Sequence, residues 1–112
     1  MTKQESILQQ MTCEYLSLNN IFYFSIPNEH WNISFAALNA LKKRGMVPGM
    51  PDLAILKNQK IYFMEFKSDK GKLTRQQIII IEYLREHGYD VAVVHNFDEV
   101  IDTLKILWKI IK

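Results

Sequence analysis

The sequence predicts a mixed α/β fold in which helices flank a four-stranded sheet, and two observations support this prediction. First, segments with apolar residues at helical spacing alternate with short apolar, β-branched or aromatic runs that are typical of strands. Second, the chain has 112 residues and is 48% hydrophobic, which is enough to bury one compact core. Neither a repeat nor a Pro/Gly-rich linker interrupts it. We therefore expect a single domain over residues 1–112.

The N-terminal part predicts a helix followed by a strand. The helix covers residues 4–18, with Thr2 or a polar neighbour as its N-cap. It is expected to pack on the sheet through the apolar residues Ile7, Leu8, Met11 and Tyr15. Residues 21–26 are aromatic and β-branched and end at Pro27, which predicts a strand.

The middle of the chain predicts a second helix and a β-hairpin. The helix covers residues 34–44, where Ser34 is the candidate N-cap and Gly45 stops the helix. The apolar runs 53–56 and 60–67 are separated by Lys57-Asn58-Gln59, which has the composition of a tight polar turn. The two strands of this hairpin are therefore expected to be neighbours.

The C-terminal part predicts a helix, a strand and a last helix. Apolar residues at helical spacing predict a helix over residues 74–87, which Gly88 closes. Residues 90–94 are mostly apolar and predict a buried strand. Asp98 is the candidate cap of a final helix that runs to residue 111.

Charge and cysteine content exclude several classes of protein. The net charge is only +2, so a histone-like basic coating is excluded and a polyanion must meet a local basic patch. The one cysteine, Cys13, has no partner for an internal disulfide or a zinc site, which favours the cytoplasm. The longest apolar run is too short to span a membrane.

Three charged residues of the predicted hairpin carry the chemistry that we expect. Glu65 and Lys67 are two residues apart on one strand and therefore project from the same face. Asp52 begins the partner strand, so the hairpin brings it opposite the end of the second strand. Two carboxylates and an ammonium group suit Mg²⁺ or Mn²⁺ and the hydrolysis of a phosphodiester. The competing interpretation is a solvated strand face, but this strand is strongly apolar.

Four motifs together resemble the virus-type replication-repair nuclease family, VRR-NUC. The first two are Gly49-Met50-Pro51-Asp52-Leu53 and Glu65-Phe66-Lys67. The others are Gly71-Lys72-Leu73-Thr74-Arg75-Gln76-Gln77 and the strand that follows Gly88. Glu5 with Gln9 is similar to the opening acidic motif of that family, and residues 26–29 resemble its loop after the first strand. The resemblance covers nearly the whole chain.

The resemblance implies a PD-(D/E)XK fold, like that of restriction endonucleases, and a DNA substrate. It also implies that Asp52, Glu65 and the backbone carbonyl of Phe66 hold a divalent metal ion, and that Lys67 assists the attacking water. Glu5 would add a carboxylate that faces the metal or supports its ligands. Gln77 would support the site from the following helix, with Gln76 as its rival. Stand-alone members of this size resemble phage proteins.

Basic residues near the proposed site are candidates for DNA binding. Lys70, Lys72 and Arg75 precede or open a helix whose N-terminal amides also attract phosphate. Lys42, Lys43 and Arg44 fit a phosphate-binding group and a solvated helix end equally well. The remaining reactive side chains are expected to be structural or on the surface, because none has a partner at ligand spacing: His30, His87, His95 and Cys13.

The last predicted helix is apolar over more than the single stripe that one core contact needs. This breadth predicts a homodimer, with Trp108 or Ile110 left for the second contact. The favoured function is a metal-dependent endonuclease that cuts DNA, including branched DNA. The alternative is a non-catalytic DNA-binding or protein-interaction module on the same fold. A nucleotide-binding protein is ranked last, because the chain lacks a glycine-rich loop of the required form.

Overall fold

The computed structural model describes residues 1–27 and 33–112 of the chain. Predicted features at residues 28–32, which include His30, lie outside the described residues. The helices are α1 (Lys3–Leu18), α2 (Phe35–Lys43), α3 (Arg75–Glu86) and α4 (Phe97–Asp102), and a π-helical turn (Thr103–Leu107) continues α4. The strands are β1 (Phe22–Ser25), β2 (Leu53–Lys57), β3 (Lys60–Phe66) and β4 (Asp90–Val94).

The four strands form one mixed sheet in the order β1-β2-β3-β4. β1 and β2 are antiparallel, as are β2 and β3, whereas β3 and β4 are parallel because α3 carries the chain back across the sheet. Asn58 and Gln59 form the β2–β3 turn with φ of 54° and 64°, and positive φ at both central residues is the geometry of a two-residue hairpin turn. The predicted fold class of four strands flanked by helices is confirmed.

Helices cover both faces of the sheet and create two apolar layers. Leu53, Ile55 and Met64 project from one face and pack with α1, α4 and the C-terminal residues. Ala54, Phe63 and Val91 project from the other face and pack with Ile81 and Leu84 of α3. The sheet is therefore buried on both sides where β2, β3 and β4 meet, which is where the predicted charged residues lie.

Helix α1 packs through a different stripe from the one predicted. Thr2 is the N-cap and forms a capping box with Glu5. The buried positions are Glu5, Leu8, Thr12 and Leu16, while Ile7 and Met11 are 47% and 42% exposed. The expectation that Ile7 and Met11 pack on the sheet was wrong, because two polar residues occupy the inward stripe. Thr12 satisfies its hydroxyl by donating to the Leu8 carbonyl at 2.8 Å.

The C-terminal helix is shorter than predicted. Asn96, not Asp98, caps α4, and the helical part ends with the π-helical turn at Leu107 instead of at residue 111. Lys109 has a φ of 55°, which reverses the chain so that the backbone N–H groups of Ile110 and Ile111 donate to the Leu104 carbonyl.

The reversal changes which apolar residues remain exposed. Ile110 and Ile111 are buried in the core at 8% and 7% exposure, and Trp108 packs on Tyr62. The expectation that Ile110 is left for a second contact was therefore wrong, and Trp108 is left only partly exposed. Ile106 and Leu107, at 68% and 69% exposure, are the apolar residues that this region presents to solvent. Within the described residues, no helix is both long enough and apolar enough to cross a membrane.

Candidate active site at the end of the hairpin

The β2–β3 hairpin places Asp52 across from Glu65. Leu53 pairs with Met64, so the next position on each strand juxtaposes the two acidic residues. The Oδ2 atom of Asp52 accepts the Phe66 backbone N–H at 2.9 Å, which fixes the aspartate against the end of β3. The backbone N–H of Ile26 donates to the Asp52 carbonyl at 2.8 Å and ties the same point to the end of β1. The expected juxtaposition of Asp52 and Glu65 is therefore present in the fold.

Glu65 is a carboxylate that is nearly excluded from solvent, at 2% exposure. Its Oε2 atom accepts a hydrogen bond from Nε2 of Gln77 at 3.1 Å and lies 4.0 Å from Nζ of Lys67. Its Oε1 atom is buried, and no donor among the described residues reaches it. Glu65 and Asp52 also share a side-chain hydrogen bond, which requires a proton on the carboxyl of Glu65. A bound cation would replace that proton between the two buried acidic groups.

The two acidic residues resist ionisation. Burial raises the pKa of Glu65 to about 9, and the charge of Asp52 adds to this effect while Lys67 opposes it. Burial also raises the pKa of Asp52, although the hydrogen bond from Phe66 works in the opposite direction. Two neighbouring carboxylates with one lysine have an unfavourable charge balance when both are ionised, and a cation would correct it.

The start of α3 distinguishes Gln77 from Gln76. Thr74 caps the helix, and Oε1 of Gln77 accepts the Thr74 backbone N–H at 2.9 Å. This capping box holds the amide so that its Nε2 atom points at Glu65. Gln76 is exposed and lies against Gly49 instead. The geometry therefore brings Gln77, not Gln76, to the acidic pair.

Glu5 reaches the same end of the sheet from α1. It is only 7% exposed, and its Oε2 atom accepts the Ser68 backbone N–H at 3.0 Å, one residue beyond Lys67. Its Oε1 atom lies 3.3 Å from the Thr2 backbone nitrogen in the capping box. The charge of Glu5 contributes to the raised pKa values of Asp52 and Glu65. Glu5 thus anchors the segment that follows the catalytic lysine candidate and adds negative potential.

The acidic pair supplies donors of the kind that a divalent metal ion would need. In the part of the chain that the structure describes, no group of three His, Cys, Asp or Glu side chains is arranged to hold a metal. The candidate ligands are therefore two carboxylates, from Asp52 and Glu65, together with the expected backbone carbonyl of Phe66. Oxygen ligands of this kind are those that Mg²⁺ and Mn²⁺ prefer, and the bare Oε1 atom of Glu65 is available to such an ion.

The predicted DNA-binding residues follow β3 at the same end of the sheet. Lys70 and Lys72 lie in the segment between β3 and α3, Arg75 is the first residue of α3, and all three are exposed. The basic residues 42–44 lie at the C-terminal end of α2, where none of the described side chains is buried. Lys70, Lys72 and Arg75 are therefore the basic residues in the segment that runs from Lys67 to the first turn of α3.

His87, His95 and Cys13 contact residues outside the acidic pair. His87 stacks on Tyr83 with centroids 4.1 Å apart, and its Nδ1 atom lies 2.8 Å from the Tyr83 carbonyl oxygen. The Nδ1 atom of His95 lies 3.1 Å from Oε1 of Glu99. Burial raises the pKa of the Cys13 thiol, which disfavours the nucleophilic thiolate.

Gly49 is a position whose role sequence reasoning missed. Its φ is +89°, and an added Cβ would lie 2.8 Å from both Cγ and the carbonyl oxygen of Gln76. The glycine therefore lets the segment before Asp52 approach the first turn of α3. The available signal was its place three residues before Asp52 in the quoted motif.

An α/β domain whose hairpin brings two carboxylates and a lysine to one end of a mixed sheet has the PD-(D/E)XK-like nuclease fold. The model of the VRR-NUC domain family matches residues 2–98. The chain belongs to the VRR-NUC domain family and is thus a nuclease-type domain.

Two solved structures support the fold assignment. A "VRR_NUC domain" is 22% identical with a TM-score of 0.70, and the match covers 94% of this chain and 98% of that chain. A "VRR_NUC domain protein" is 20% identical with a TM-score of 0.73, covering 94% of this chain and 88% of the other. No curated protein matches the chain at a significant level. The predicted family and fold are confirmed.

Proposed function

We propose that this protein is a divalent-metal-dependent nuclease that hydrolyses phosphodiester bonds of DNA. The observation that carries the proposal is the buried Oε1 atom of Glu65, which has no donor among the described residues and lies in a carboxylate pair with Asp52. A solvated strand face does not explain this atom, because Glu65 is only 2% exposed. A metal ion explains both the bare oxygen and the paired acidic residues.

Asp52, Glu65 and the Phe66 carbonyl are the proposed ligands of Mg²⁺ or Mn²⁺. The ion, when bound, supplies a Lewis acid for the phosphoryl oxygen and lowers the pKa of a water molecule. Asp52 is held for this task by its Oδ2 atom, which accepts the Phe66 N–H at 2.9 Å. Its other carboxylate oxygen, Oδ1, takes no part in this contact. The ligands are thus positioned by the hairpin itself before a metal arrives.

Lys67 is the proposed group that orients the attacking water and stabilises the developing negative charge. Its ammonium group lies 4.0 Å from Glu65, and its side chain is only 11% exposed. A lysine in so little water interacts strongly with a nearby phosphate oxygen, because solvent does not screen its charge. Gln77 supports Glu65 through the 3.1 Å hydrogen bond, and Glu5 supports the backbone after Lys67 through Ser68.

The exposed cations between β3 and α3 are the proposed contacts to the DNA backbone. Lys70, Lys72 and Arg75 are exposed and follow Lys67 in the segment that leads into α3, which favours contacts to phosphates near the scissile one. The first turn of α3 adds the partial positive charge of a helix N-terminus. A basic patch of this size suits a local grip on DNA in a chain with a net charge of only +2.

We also propose that the chain forms one domain over residues 1–112, acts in the cytoplasm and assembles as a homodimer. The cytoplasmic assignment is supported by the lone Cys13, which has no disulfide partner in the sequence. The dimer is supported by the exposed apolar residues Ile106, Leu107, Phe22 and Phe24. Two active sites in one dimer suit the cutting of two strands, so a branched or duplex DNA is the proposed substrate.

The test is a cleavage assay with Mg²⁺ or Mn²⁺ on single strands, duplexes, flaps and four-way junctions. Glu65→Gln and Asp52→Asn are expected to abolish cleavage while circular dichroism remains unchanged. Glu86→Gln is the matched control, because it removes one carboxylate from an exposed position at the end of α3. Binding of DNA without cleavage by the parent protein, in either metal, would instead support a non-catalytic module on this fold.

A further inference from the structure

A cavity lies at the end of the sheet opposite to the candidate active site. Its volume is about 450 Å³, and it opens where β3 and β4 begin. Lys60, which lines the cavity, precedes Glu65 on the same strand by five residues, a separation of about 17 Å at the usual rise of a strand. The residues that line this cavity differ from those that form the acidic site.

Aromatic rings line one side of the cavity. The Trp108 ring packs on the Tyr62 ring with centroids 4.7 Å apart and an interplanar angle of 37°. Tyr62 is only 6% exposed and supports Trp108 from the core, while Trp108 itself is half-buried and borders the cavity. Tyr89 borders the same space, is 43% exposed and meets Phe63 edge-on at 6.1 Å. A flat ring that enters the cavity can therefore stack on an aromatic side chain that the core supports.

Two cations are held in place at the rim. The Nε and Nη2 atoms of Arg85 both donate to the Val91 carbonyl, at 3.3 and 2.7 Å. These contacts use two of the five N–H groups of a guanidinium and fix its plane, so the others are available to an anion. Lys60 is held by Asp90 at 2.6 Å and lies 5.1 Å from the centre of the Tyr62 ring.

We propose that this cavity binds a nucleotide, with the base against Trp108 and the phosphate at Arg85 and Lys60. Aromatic faces bind any nucleobase by stacking, and a pre-positioned arginine is a strong phosphate ligand. The volume lies within the range of small-molecule sites. The ligand can be a free mononucleotide or the end of a single DNA strand, and the site does not depend on the nuclease activity.

Trp108 reports on binding once Trp31 is replaced, because the chain contains two tryptophans. In a Trp31→Phe background, with a chelator present to prevent cleavage, tryptophan fluorescence is titrated with four probes. They are deoxyadenosine monophosphate, deoxyadenosine, inorganic phosphate and a short single-stranded oligodeoxyadenylate. We expect the monophosphate, the oligonucleotide or both to quench the fluorescence of Trp108. The one of these two probes that quenches at the lower concentration shows whether the ligand is a free mononucleotide or the end of a DNA strand.

Arg85→Gln is expected to weaken the responsive nucleotide by about tenfold or more, the usual scale for losing a charge-assisted hydrogen bond. Lys105→Gln is the matched control, since it removes one positive charge from an exposed position outside the cavity lining. If Arg85→Gln fails to fold, Lys60→Met provides the same comparison. The proposal is overturned if neither nucleotide probe quenches Trp108, or if Arg85→Gln, or Lys60→Met in its place, binds as the control does. Binding of inorganic phosphate as tightly as the nucleotide also overturns it.

Discussion

The Nε2 atom of Gln77 donates to the Oε2 atom of Glu65 at 3.1 Å, while the adjacent Gln76 points away toward Gly49. The side-chain amide of Gln77 thus has two contacts: its oxygen caps α3 at Thr74, and its nitrogen orients the buried carboxyl group of Glu65. The other oxygen of that carboxylate is left without a donor among the described residues. The first turn of α3 and the end of β3 therefore act as one unit, and this coupling can be tested by substitution.

Gln77→Ala is expected to lower cleavage by about ten- to a hundredfold, the scale on which residues that orient metal ligands act. The physical reason is that Glu65 loses the donor that fixes its Oε2 atom. The measurement is the rate as a function of Mn²⁺ concentration, in which the half-saturating concentration should rise. Gln76→Ala is the control on the adjacent position and should retain the parent dependence on Mn²⁺; equal defects in both variants would contradict the assignment.

The metal-free protein is expected to lose stability as the pH rises from about 4.5 to about 9. The pKa of Glu65 is raised from 4.5 to about 9 by burial, so the folded state keeps the proton that the unfolded state releases. This contribution is complete below pH 4.5 and is lost as the pH passes through 9. Thermal melts in a chelator, across this range, measure it.

Glu65→Gln is the partner variant for these melts. It removes the titrating group at nearly constant volume, so its melting temperature should exceed that of the parent at neutral pH without metal. Its dependence on pH should also be flatter. Added Mn²⁺ should stabilise the parent more strongly at higher pH, because the ion competes with the proton for Glu65. A melting temperature of Glu65→Gln below that of the parent at neutral pH would argue against the raised pKa.

Lys67→Met is expected to lose at least about a hundredfold in cleavage rate at saturating metal. The methionine fills the same partly buried space but removes the charge 4.0 Å from Glu65. Lys57→Met at the far end of the hairpin is the matched control, because it removes one lysine from the partner strand. Turnover by Lys67→Met near the parent rate would make the lysine an ordinary strand-face charge.

Glu5 is expected to belong to the active site, either within reach of the ion or joined to it through one water. Its oxygens already contact the backbone N–H groups of Thr2 and Ser68, so the route through a water is favoured. A crystal structure with Mn²⁺ measures the distance. Glu14→Gln, an exposed position on the same helix, should cleave normally while Glu5→Gln is slower. A Glu5 carboxylate turned into solvent in the Mn²⁺ structure would refute the assignment.

The protein is expected to sediment as a dimer. Ile106 and Leu107 are each more than two thirds exposed, so these side chains are available for an apolar contact with a second chain. Because an obligate dimer buries about 2,000 Å² or more, the dimer should persist on dilution. Sedimentation equilibrium over a hundredfold range of about micromolar concentrations measures the mass, and Ile106→Asp should shift it toward the monomer. A mass of 13.2 kDa throughout for the parent would exclude the dimer.

The sequence by itself determined the hairpin and its chemistry. The Asn58-Gln59 turn fixes the register, and the alternation of side chains along a strand then places Glu65 and Lys67 on one face. Helix starts at Thr2, Ser34 and Thr74 were equally predictable from the local residues. These features depend on a few neighbouring residues, so the sequence order alone specifies them.

Only the tertiary structure decided the contacts that join distant segments. Glu5 and Ser68 are separated by 63 positions, and their contact exists because the stripe of α1 that faces the sheet includes polar Glu5 and Thr12. The chain reversal at Lys109 likewise buries Ile110 and Ile111, which a helical pattern had extended into solvent. Hydrophobic periodicity does not report a polar residue that is satisfied by hydrogen bonds, nor a turn whose stability comes from burial in the core.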